Sequence, residues 1–81
     1  MLLSIIGINQ KEEIKVNWVE LQTKAGNFII QPEHAPTILE LETNTQVRFC
    51  LENGKQQKKH IPAGIAHITR TSTTILIDNN L

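Results

Sequence analysis

A chain of 81 residues, 40% hydrophobic and 20% charged, has the composition of one small globular domain with a single core and little room for a deep substrate cleft. Eight Lys+Arg balance eight Asp+Glu, which argues against nucleic acid and against a polybasic membrane anchor as partners. Cys50 is the only cysteine, so no internal disulfide forms, and neither a signal peptide nor a membrane span is visible; a reducing, cytoplasmic setting is expected.

Leu2 to Ile8 is rich in β-formers and reads as a strand, followed by a polar loop at Gln10-Lys11-Glu12-Glu13. Ile14-Lys15-Val16-Asn17-Trp18 alternates apolar and polar, as a half-buried strand does. The alternation then slips by one residue, so that Val19 and Leu21 take the apolar role, which predicts a β-bulge. Thr23 to Asn27 is a turn, and Phe28 to Gln31 a short strand stopped by Pro32. Pro32 and Pro36 fix their own φ and push the residues before them toward extended geometry. Glu33-His34-Ala35 between them is therefore a stiff, presented loop, the kind of feature a rigid scaffold holds out to a partner.

Thr37 to Glu42 suggests a strand at a sheet corner, with Ile38 and the Leu39/Leu41 pair on opposite parities. Val47, Phe49 and Leu51 alternate with Arg48, Cys50 and Glu52, and Asn53-Gly54 then signals a hairpin. The return strand, Lys55 to Ile61, is almost wholly polar and suits a sheet edge, where lysines discourage pairing with other chains. Pro62-Ala63-Gly64 breaks it, and Ile65 to Arg70 with Thr73 to Asp78 forms a last hairpin. No segment keeps a helical period. The expected fold is all-β: a single domain over residues 1–81, built as a small sandwich or flattened barrel of seven to eight short, mostly antiparallel strands.

Little catalytic chemistry is present. Cys50 lies mid-strand between Phe49 and Leu51 and reads as structural, because reactive thiols need an electropositive, accessible setting. No glycine-rich phosphate loop, paired-cysteine metal motif or H-E-x-x-H helix occurs, so no catalytic residue, metal or cofactor is assigned. His34, His60 and His67 match no standard zinc spacing and read as surface residues, with His67 a candidate for partial burial. Trp18 reads either as a core anchor or as an interface hot spot. The Lys55, Lys58 and Lys59 cluster reads as a solvated edge.

Gly26-Asn27-Phe28-Ile29-Ile30-Gln31-Pro32-Glu33-His34-Ala35-Pro36 resembles the G-x-F/L-x-I-x-P-G-H-A-P signature of the ε subunit of F-type ATP synthases, called δ in mitochondria. The resemblance continues through Val47-Arg48-Phe49, the Asn53-Gly54 turn, Ile61-Pro62-Ala63-Gly64-Ile65 and Thr74-Ile75-Leu76-Ile77-Asp78, and spans roughly residues 14 to 79. Departures are visible. Glu33 stands where the family usually has glycine, which implies ordinary backbone angles there, or strain if φ is positive. Asn44 lies near the family's Pro-Gly turn and Ala63 replaces the first glycine of a pair. The chain stops at Asn79-Asn80-Leu81, where the family's two-helix carboxy-terminal domain would start, so the resemblance implies a short form.

The resemblance implies a non-catalytic rotor subunit that binds the γ subunit and the c-ring, meets the α and β subunits indirectly, and couples ATP synthesis and hydrolysis to ion flow. It places His34, Ala35, Pro36, Ile38 and Leu39 toward γ, and Gly26, Asn27 and Phe28 toward the c-ring. It also implies a peripheral position on the cytoplasmic side of the inner (plasma) membrane, without direct insertion. Two other functions fit the residues. One is a free-standing adaptor that adds a partner's strand at the Lys55 to Ile61 edge. The weakest is a metal enzyme using His34, His60 and His67.

Overall fold

The computed structural model describes residues 1–78; Asn79, Asn80 and Leu81, on which the expectation of a short-form ending rests, lie outside the described residues. Side chains in a strand point alternately to the two faces, so each apolar-alternating run lends one row to an interior. Among the described residues eight strands result: β1 (Leu2–Gly7), β2 (Gln10–Thr23), β3 (Gly26–Ile30), β4 (Thr37–Glu40), β5 (Thr45–Leu51), β6 (Gln56–Ile61), β7 (Gly64–Ile68) and β8 (Ser72–Ile77). Their order is β4-β7-β8-β1-β2-β5-β6, with β3 also paired to β2. All pairs are antiparallel except β1 with β8. The all-β sandwich expected from the sequence is what forms.

The sheet folds over itself at β2. Residues Gln10 to Lys15 pair with β1, Val16 to Glu20 with β5, and Val19 to Thr23 with β3. One layer is thus β4, β7, β8, β1 and the start of β2; the other is the end of β2 with β3, β5 and β6. The register with β5 slips between Val16 and Trp18, which places the bulge at Asn17. Val16 and Val19 can therefore both face inward, as the phase slip in the sequence requires. A bridge from Thr23 to Leu41 joins the end of β2 back to the residue just past β4 and partly closes the barrel.

Between the layers lie Leu3, Ile5, Val16, Val19, Leu21, Ile30, Leu41, Val47, Phe49, Ile61, Ala66, Ile68 and Ile75, all essentially without solvent contact. Each of the larger side chains contributes about 1.5–3 kcal/mol by leaving water. No buried side-chain polar atom among the described residues lacks a hydrogen-bond partner. Toward the open side of the sandwich Lys59 of β6 pairs with Glu12 of β2, so this lysine is not merely part of a solvated edge.

Three local expectations need correction, at Gln10 to Glu13, His67 and Trp18. Gln10 to Glu13 is strand, not loop: Ile8 and Asn9 make the turn, with Asn9 at φ 56°, and backbone pairing to β1 carries the polar residues. The expected Asn53-Gly54 hairpin forms, with a three-residue loop: Gly54 N–H donates to Leu51 O, and Leu51 N–H donates to Lys55 O. His67 is exposed. Trp18 is no core anchor; the bulge turns it outward, where it lies half-buried opposite Cys50.

Gly64 is dictated by a close approach of backbone to backbone. A Cβ there would sit 2.6 Å from the carbonyl oxygen of Leu76, its neighbour across β7 and β8. No rotamer can relieve that clash. Gly64→Ala should cost about 1–3 kcal/mol by forcing the two strands apart. Ala63→Gly, at a position without positive φ, should cost no more than about 1 kcal/mol. Urea unfolding of both variants checks the pair; equal stability would mean that the β7–β8 contact is looser than described.

Candidate functional site

The residues singled out by the sequence fall at the two ends of β3. Five residues of strand separate those ends by about 17 Å. At one end is the β2–β3 hairpin turn. Thr23 Oγ1 donates to Gly26 O at 2.8 Å and accepts from Ala25 N–H at 3.1 Å. Gly26 has φ 124°, a backbone region that side chains avoid. The turn is tied sideways to β4, where Lys24 N–H donates to Glu40 O at 2.9 Å and the Lys24 ammonium lies 3.8 Å from the Glu40 carboxylate.

At the other end is the proline-bounded loop. His34 N–H donates to Gln31 O at 3.1 Å, closing a turn with Pro32 and Glu33 at its centre. Glu33 has φ 70°. Proline second and a positive φ third define a type II turn, whose third position prefers glycine. Of the two alternatives for Glu33, ordinary angles or strain, the positive φ selects strain. The loop is stapled to the β7–β8 connection: Glu33 N–H donates to Arg70 O at 2.8 Å and Arg70 Nη1 donates to Glu33 O at 3.4 Å. His34 Nδ1 donates to Ala35 O at 2.8 Å, since a carbonyl can only accept, which leaves Nε2 as the ring nitrogen free for a partner.

From this loop the chain runs directly into β4. Ile38 points outward and is 67% exposed, whereas Leu39 packs against the core. Of that pair, Ile38 is the one that presents surface. At the other end Asn27 is exposed, while Phe28 also packs against the core. His34, Ala35, Pro36 and Ile38 thus form one group and Gly26 with Asn27 another. Nothing brings His34, His60 and His67 into a ligand set: among the described residues no three His, Cys, Asp or Glu are placed to hold a metal ion.

Strand register reveals what sequence order hid. Across the outer face of the first layer run Glu40, Ile65, Leu76, Ile6 and Lys11, each opposite the next. The adjoining row is Ile38, His67, Thr74, Ser4 and Glu13. Ile65 is 46% and Leu76 48% exposed, and together with Ile38 they line a shallow open groove rimmed by Lys24, Glu40 and Asp78. A contiguous apolar patch with a charged rim is the usual anatomy of a protein contact. The outer face of the second layer is different. Asn27 Nδ2 donates to Glu20 Oε2 at 3.3 Å, Glu20 lies 3.3 Å from Arg48, and Arg48 Nη2 donates to Gln56 Oε1 at 3.0 Å. This polar chain links the β2–β3 turn to the far edge of the layer.

The family model of the ATP synthase delta/epsilon chain β-sandwich domain matches residues 8–80. The match begins upstream of the segment whose motifs are legible by eye. Among solved structures, a chain of the Euglena gracilis mitochondrial ATP synthase superposes with a TM-score of 0.81 at 20% identity, over 93% of this chain and 48% of that one. A chain in the central stalk and c-ring structure of the Tetrahymena thermophila mitochondrial ATP synthase gives a TM-score of 0.76 at 9% identity, over 98% of this chain and 63% of that one. At these identities the likeness is one of fold, and this chain spans about half to under two thirds of the length of those chains. No curated protein sequence matches.

Relief of the Glu33 strain is measurable. Glu33→Gly should stabilise the fold by about 0.5–1 kcal/mol, the left-handed penalty less glycine's extra unfolded-state entropy. Equilibrium denaturation checks this, and a loss of stability would mean that the glutamate is held there by a contact the fold depends on.

Proposed function

The chain belongs to the family of ATP synthase delta/epsilon chain β-sandwich domains, a non-catalytic part of the enzyme's stalk, and we propose that it works, as a single domain over residues 1–81, as a rotor subunit that binds γ and the c-ring and couples catalysis to ion translocation. The observation that carries this reading is the pairing of two separate surfaces on one close-packed body. His34, Ala35, Pro36 and Ile38 lead onto the apolar groove of Ile65 and Leu76, and this side faces γ. Leu39 supports it from beneath. Gly26 and Asn27, braced by Phe28 and by Glu20, face the polar loops of the c-ring.

No chemistry is required of such a part. It must resist twisting, and interiors packed to crystal density compress very little. The α and β subunits are met only through γ. Among the described residues no helix is long and apolar enough to cross a membrane, and the proposed seat is peripheral, on the cytoplasmic side of the inner (plasma) membrane, through the complex. A second reading, a free-standing adaptor, draws on β6. That strand ends the sheet, carries Lys58 along its length and follows directly on Lys55.

A pull-down from native membranes with the tagged chain separates the two. Recovery of γ with α, β and c in stoichiometric amounts supports the rotor; recovery of other proteins, with the synthase left behind, supports the adaptor. Within the rotor reading, Ile38→Asp and Ile65→Asp each place a charge on the exposed face. Each should weaken γ binding by about tenfold or more while leaving the fold intact. His34→Ala should weaken it by only about two- to threefold. Titration calorimetry with purified γ measures all three, and unchanged affinity for both aspartate variants would remove this face from the contact.

A further inference from the structure

Three non-glycine residues among the described ones have positive φ: Asn9, Asn44 and Glu33. Asparagine tolerates the left-handed region; glutamate has no such compensation. The one departure from the local rule therefore falls in the proline-bounded loop, within the surface proposed to face γ. Glu33 is exposed, and among the described residues its carboxylate has no ion-pair or hydrogen-bond partner. Its backbone, by contrast, is held at both ends of the residue, N–H and C=O each bonded to Arg70. The side chain makes no polar contact within the described residues, yet it stands on a fixed base in the loop that leads into β4. A strained residue whose side chain makes no such contact points to a role outside the fold.

We propose that Glu33 is a specificity residue of the γ-facing surface, its carboxylate accepting hydrogen bonds from a lysine or arginine of the γ subunit. This rests on the reading of the chain as γ-binding. Arg70 is the positioning residue: its main-chain and guanidinium bonds aim the turn, and among the described residues no carboxylate lies within ion-pair distance of it. A charge held out on this loop can select and orient a partner while the exposed Ile38, Ile65 and Leu76 supply adhesion.

The test is calorimetric titration of the purified γ subunit from the same organism against wild type, Glu33→Gln and Glu33→Gly, at low and high salt. Glu33→Gln keeps the shape and the strain and removes only the charge. It should lose roughly five- to tenfold in affinity at low salt. That difference should shrink at high salt, where exposed charges are screened. Glu33→Gly should melt about 3–8 °C higher than wild type and bind no better than Glu33→Gln, separating stability from recognition. Wild-type binding matched by Glu33→Gln at both salt concentrations overturns the proposal and leaves γ binding standing. Absence of wild-type binding overturns both.

Discussion

One strand belongs to both layers of this sandwich, and the rest of the structure depends on it. β2 runs for 14 residues, well beyond the usual length of a strand. Its first half pairs with β1 and its second half with β5 and β3. A strand can change layers only if its inward-facing parity is adjusted on the way, and the extra residue at Asn17 makes that adjustment. Without it, either Val16 or the pair Val19 and Leu21 would face water. All three are buried, so the bulge is what lets one continuous backbone support two facing sheets.

The placement of the two surfaces follows from the same strand. The far end of β2 makes the hairpin that carries Gly26 and Asn27. It also bridges to Leu41, just past β4, the strand that begins at the His34 loop. Main-chain hydrogen bonds thus run from the turn through Lys24 and Glu40 into β4, and from the loop through Arg70 into the β7–β8 hairpin. A load applied at one surface reaches the other through backbone, without passing through any long flexible side chain. For a part proposed to transmit torque, this matters more than the strength of any single contact.

The elements visible in the sequence were those with a local cause. The phase slip after Trp18 gave away the bulge, Asn53-Gly54 the hairpin, and the two prolines the stiff loop. Glu33 in place of glycine marked the position but left ordinary angles and strain both open. What escaped was set by pairing rather than by sequence neighbours. Gln10 to Glu13 looks like loop because its side chains are polar, but backbone pairing to β1 makes it strand. Trp18 looks like a core residue until the bulge turns it outward. The apolar groove draws Ile38, Ile65 and Leu76 from three strands, each isolated in its own run. No periodicity within one strand reveals a row that runs across several.

That division also explains how the fold is shared with chains of very different sequence. The interior asks only for apolar side chains at alternate positions, a demand many sequences meet. A few backbone points are stricter: the bulge, the left-handed residues and the close approach at Gly64. The outer faces are under neither constraint. Ile38, Ile65 and Leu76 on one face, and the Asn27–Glu20–Arg48–Gln56 chain on the other, are free of the core and therefore free to record the partner. Glu33 stands where the two kinds of demand collide. The turn asks for glycine, the surface presents a carboxylate, and the pinning by Arg70 lets the surface prevail.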